Sequence, residues 1–165
     1  MDPAYITPFM ISTADVFSTM LQLPVTPGSP SIRGEDTGDN DVSAVIGISG
    51  EVTGAAILRF PMESAKRVVS MFIGEEVDEN NADFSDALGE LANMVTGNAK
   101  SKFTGKDVSI SCPSIVVGKG HTVRQRTDVP TIAIPFTSEA GSFAIDVCLV
   151  ETPAGSKSQN LAAAG

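Results

Sequence analysis

Asp86-Ala-Leu-Gly-Glu90-Leu-Ala-Asn93-Met-Val-Thr-Gly97-Asn-Ala-Lys100 is the stretch on which the reading of this chain turns. Its apolar residues recur at helical spacing, and on a helix positions three and four apart share a face. Asp86, Glu90, Asn93 and Gly97 form one row spanning about 60° of the helical wheel. Phe84, Leu88, Leu91 and Val95 fall on the opposite side. One row anchors the helix on a core, and the other is left facing outward. A carboxylate and a carboxamide held side by side on a rigid element can grip a cation and orient a water.

The surroundings of this helix are read from the breaks and periodicities on either side. Upstream, Pro61 to Gly74 has Pro at its entry and Gly at its exit, which predicts a second helix. The acidic stretch Glu75 to Asp83 joins it to the quoted helix, which is expected to run from about Asp83 to Phe103 with Asp83 or Ser85 as its cap. Val42–Gly50 and Thr53–Phe60 are β-type runs joined through Gly50-Glu51, a hairpin pattern. Before them, residues 25 to 41 are rich in Pro, Gly, Ser and Asp and read as a long connection with one short edge strand around Ser31 to Gly34. The first helix ends at Leu21 and starts either at Thr7-Pro8 or at Asp2-Pro3, since both pairs carry a cap followed by proline.

Downstream of Gly105 the pattern returns to strands: Val108 to Cys112, Ser114 to Val117, Thr131 to Thr137 and Ser142 to Glu151, the last two turning at Ser138-Glu-Ala-Gly141. Strands interrupted by helices, with hairpin-like connections, predict an α+β fold, an antiparallel sheet with long helices on one face. Residues 1–151 make one expected domain. Residues 152–165 are poor in large apolar side chains and read as a low-complexity tail.

Composition narrows the function classes. A chain of 165 residues with 42% hydrophobic content suits one domain with a real core. No apolar run approaches the roughly 20 residues that span a bilayer, and no secretory signal opens the chain, so the expected location is the cytoplasm and no membrane partner is expected. The formal charge of −9 opposes nucleic-acid binding. The one basic segment, Lys119 to Arg126, reads as a solvated hairpin arm. Cys112 and Cys148 lack CxxC spacing and read as free buried thiols. His121 is the single histidine and reads as a surface loop residue, so no metal site is expected within the chain.

The stretch Asp86xxxGlu90xxAsn93, followed by Thr-Gly97-Asn-Ala-Lys, resembles the signature of the CheC/CheX/FliY family of chemotaxis phosphatases, and the CheX branch most. Phe17-Ser-Thr-Met-Leu21 and Ile46-Gly-Ile-Ser-Gly-Glu-Val-Thr-Gly-Ala-Ala-Ile-Leu58 extend the likeness over most of residues 5 to 151. The family carries an internal pseudo-repeat. Aligning Val16 to Met20 with Glu90 to Met94 puts Val16 at the place of Glu90 and Thr19 at that of Asn93, leaving one site. Pro113 stands where the family pattern has a downstream proline, slightly early.

This resemblance implies hydrolysis of the aspartyl phosphate on a CheY-like receiver domain. The receiver would supply Mg2+ and a lysine, so no cofactor is expected in this chain. The implied catalytic residues are Asn93, which orients the attacking water, and Glu90, which pairs with the receiver's lysine. Asp86, Gly97 and Lys100 would flank the contact, Gly97 by keeping the helix surface low. A homodimer is implied as well.

The physics agrees with these roles. Phosphoryl transfer is dominated by positioning, a neutral amide can place water, and a carboxylate is a poor nearest neighbour for a phosphoryl anion. Glu and Asn on an exposed helix are often merely solvated, but Asn and Gly both weaken a helix, so their presence in one row asks for a reason. The alternative is a noncatalytic adaptor that docks on receivers or on the flagellar switch. A small-molecule enzyme has little support, because no nucleophile–base pair or glycine-rich phosphate loop is apparent.

Overall fold

The computed structural model describes residues 2–34, 40–125 and 128–153. Residues 154–165 of the expected tail, residues 35–39 of the long connection and Arg126 of the basic segment lie outside them. In chain order the elements are α1 (Pro3–Leu21), β1 (Thr26–Pro27), β2 (Ser31–Ile32), β3 (Val42–Gly50), β4 (Val52–Phe60), α2 (Met62–Ile73), α3 (Ala82–Lys100), β5 (Val108–Ile110), β6 (Ser114–Val117), β7 (Ile132–Ser138) and β8 (Gly141–Glu151).

All ladders are antiparallel, in the order β1-β7-β8-β4-β3-β5, with β2 also on β7 and β6 also on β3. Replacing each strand by the one four places later or earlier reverses this order onto itself, which is the expected internal repeat. Registers repeat too. Ser31 faces Ala133 and Ile32 faces Ile132, as Ser114 faces Val45 and Ile115 faces Ala44. The two outer segments share a tripeptide, Pro30-Ser31-Ile32 and Pro113-Ser114-Ile115.

The three helices among the described residues cover one face. α3 is central, touching α1, α2 and strands β3 to β6. Inward residues of β4 (Val52, Ala56, Leu58, Phe60) and β8 (Phe143, Ile145, Val147, Leu149) meet the apolar row of α3 in a single core. Phe143 is its hub. Its ring stacks on Phe17, Phe60 and Phe136 at centroid distances of 4.8, 5.1 and 5.1 Å, joining helix and sheet. No helix among the described residues is long and apolar enough to cross a membrane.

The other sheet face buries Ile57, Ala144, Asp146 and Cys148 with no helix over them among the described residues. Buried Asp146 is held by Arg33 and Arg59, and Arg59 also donates to Asn40 Oδ1 at 3.0 Å. The ion pair closes that face with the segments preceding β3, because a buried carboxylate is tolerated only when partnered.

Local signals decide the helix ends. Asp2 caps α1, its carboxylate accepting from Ala4 N at 2.8 Å, so the earlier of the two starts holds and Pro8 lies inside the helix. α3 is capped by Asn81, which accepts from Asp83 N at 2.9 Å, and not by Asp83 or Ser85. All three types are good caps, and the chain turns helical at the first of them.

Four further expectations change. Cys112 is exposed, because β5 ends at Ile110 and Cys112 sits in the break before β6; Cys148 is buried as expected. His121 is half-buried, with Nε2 2.8 Å from Ser43 Oγ and Nδ1 2.6 Å from the Gly118 carbonyl. The start of the basic segment forms no hairpin arm. It is laced to the chain before β3 through Gly120 N to Asp41 Oδ1 (3.2 Å) and His121 N to the Asn40 carbonyl (3.0 Å). Burial also shifts the repeat alignment by one residue. Val16 is only 4% exposed, whereas Asp15 and Ser18 share the outward phase of Glu90 and Asn93. Neither residue of the Glu/Asn pair recurs on α1.

Candidate active site

The site is built on α3 because its buried row leaves no rotational freedom. Phe84, Leu88, Leu91 and Val95 are sequestered in the core, so Asp86 and Glu90 stand exposed and Asn93 and Gly97 half-buried on the other side. Asp86, Glu90 and Asn93 line one shallow depression of about 220 Å³ with Ser85, Gly89, Pro113 and Ile115. Among the described residues their side chains make no hydrogen bond or ion pair, so the polar ends are available to an incoming partner.

Gly97 needs no internal explanation. A β carbon there would find only Ile110 Cδ1, at an ordinary 3.9 Å. Lys100 is placed differently from its companions. Its ammonium donates to the Val108 carbonyl at 3.1 Å and ties the end of α3 to β5. The structure thus gathers Asp86, Glu90 and Asn93 at one rim, sets Gly97 one turn further, and turns Lys100 to a structural contact.

Sequence reasoning missed the wall of the depression. A β carbon on Gly89 would stand 3.0 Å from Pro113 Cγ and 3.7 Å from Ile115 Cδ1, so the missing side chain lets the start of β6 close against the helix. A mid-helix glycine and the repeated Pro-Ser-Ile were the available signals.

The chemistry open to this rim is narrow. Two carboxylates make it attractive to a cation and unfavourable beside a phosphoryl anion, while Asn93 can both donate to and accept from a water. No cluster of three His, Cys, Asp or Glu residues positioned for a metal occurs among the described residues. A larger groove of about 750 Å³ between α2 and the β7–β8 turn has mostly acidic charges, and its Lys66 is paired with Glu79 at 3.0 Å; it does not touch the α3 row.

A sequence model described as chemotaxis phosphatase CheX matches residues 42–137, which contain the whole α3 row. The chain belongs to the CheX family. It is 29% identical over 142 residues to the CheY-P phosphatase CheX of Thermotoga maritima, covering 84% of this chain and 92% of that one. It is similar to the crystal structure of a chemotaxis protein CheX from Desulfovibrio desulfuricans, with a TM-score of 0.81, 33% identity, and 90% and 99% of the two chains covered. The fold is also that of the CheX in a CheX–CheY–BeF3–Mg2+ complex from Borrelia burgdorferi, with a TM-score of 0.75, 22% identity, and 89% and 98% covered.

Proposed function

We propose that this protein accelerates hydrolysis of the aspartyl phosphate on a CheY-like receiver domain. The observation that carries the reading is the Glu90–Asn93 pair, without a partner among the described residues, at the rim of one depression on the helix that the family match contains. The name of the Thermotoga relative and the composition of the Borrelia complex support a phosphorylated CheY-like partner.

Asn93 orients the attacking water in line with the phosphorus–oxygen bond. Its amide does not take the proton, since a carboxamide is not a base at neutral pH. Glu90 pairs with the receiver's lysine and fixes the docking register, which keeps its charge away from the phosphoryl oxygens. The receiver holds the Mg2+, and this chain contributes position and electrostatics alone. Asp86 and Gly97 border the contact. Lys100 supports it from behind by fixing the end of α3 on β5.

The activity would be exerted in the cytoplasm, where receivers act. The proposed assembly is a homodimer, for which the outer edge of β2, with Ile32 71% exposed, offers a surface; sedimentation at the monomer mass would refute it. The function itself is tested by following phosphate loss from phosphorylated receivers with wild-type protein and with Asn93→Ala.

A further inference from the structure

We infer that Gly89, Pro113 and Ile115 form an apolar shelf that selects which receiver docks, by taking one apolar side chain from the receiver surface beside its phosphorylation site. The inference rests on the phosphatase reading and deepens it. The phosphoryl group and lysine addressed by Asn93 and Glu90 are common to receivers as a class, and common groups cannot tell one receiver from another. Discrimination needs a contact outside them.

The depression supplies one. Its α3 side is polar, with Asp86, Glu90 and Asn93, and its β6 side is apolar, with half-buried Pro113 and Ile115. A partner that places a cation at the first side must lay neighbouring surface against the second. The wall exists because position 89 has no side chain: its β carbon would press on Pro113 Cγ at 3.0 Å. The first half of the repeat provides an internal contrast. Ala14 has the helical phase of Gly89, and Ile32, the counterpart of Ile115, is left 71% exposed. The apolar wall has therefore been assembled in the half that carries Glu90 and Asn93. An apolar contact made equally before and during the reaction changes binding without changing the chemical step.

The test measures kcat and KM of the full chain toward two CheY-like receivers charged with acetyl phosphate, the better and a poorer substrate. Ile115→Ala and Gly89→Ala should raise KM for the better receiver about tenfold, keep kcat within about twofold, and shrink the difference between receivers. Ile115→Val, which removes one methyl group, should shift KM the same way by a smaller factor and serves if the Ala form does not fold. A KM unchanged in folded variants overturns the inference, and so does an equal loss on both receivers. Asn93→Ala in the same assay separates the two readings. If it abolishes acceleration while the shelf variants keep wild-type KM, the phosphatase stands and the shelf falls. If the wild-type chain accelerates nothing, the phosphatase reading itself fails.

Discussion

Gly54 approaches Cys148 so closely that a β carbon on it would lie 1.9 Å from the Cys148 carbonyl oxygen. The two residues belong to β4 and β8, the middle pair of the sheet, where the two halves of the repeat meet. Gly54 also has φ +145°, which side-chain-bearing residues rarely adopt.

Gly54→Ala therefore forces these strands apart or strains the backbone, and relaxing a flexible side chain cannot relieve a clash with a carbonyl. The expected loss is roughly 3 kcal/mol or more, among the largest for a single methyl group. Urea unfolding should show a lower midpoint with a similar slope; an unchanged midpoint would contradict the ladder geometry.

Gly97 predicts the opposite balance. A methyl group there meets Ile110 at ordinary contact distance, so Gly97→Ala should stabilise α3 by about 0.5–1 kcal/mol. If Gly97 keeps the surface low for a receiver, kcat/KM should nevertheless fall several-fold. A rise in melting temperature together with lower activity is the expected signature, and unchanged activity would remove Gly97 from the interface.

Tyr5 gives a pH prediction that one spectroscopic signal reads, because it is the only tyrosine and the chain has no tryptophan. Burial, followed by its hydrogen bond to Glu151, pushes its phenol up to about 12. A pKa raised on folding contributes stability that is intact below the unfolded value and is lost as pH rises through the folded one. Stability should fall between about pH 10 and 12. Tyr5→Phe should lack that part of the decline. Tyrosinate absorbance in the native protein should have its midpoint near 12, and a midpoint near 10 would refute the contact.

Much of this was legible in the chain because the signals were local. β3 and β4 are each nine residues long and turn at Gly50-Glu51, and α3 carries its two rows in plain helical phase. β1 and β2 have two residues each, too few to show a period, and they exist because β7 offers them an edge. The role of Gly89 depends on where Pro113 arrives from 24 residues downstream, which no window around α3 contains. His121 likewise looks like a turn residue until Ser43 is brought beneath it. The polar row was readable as a surface; its apolar wall required the tertiary structure.

The central claim concerns Asn93, and the most direct measurement is the rate of phosphate loss from a phosphorylated CheY-like receiver at saturating concentrations of this protein. Wild-type protein should accelerate it, and Asn93→Ala should lose about 100-fold or more of that acceleration while still binding the receiver. Glu90→Ala should weaken binding as well as rate. If Asn93→Ala dephosphorylates the receiver as fast as the wild type, the water-positioning role is wrong; if wild-type protein binds the receiver without speeding phosphate loss, the chain is an adaptor.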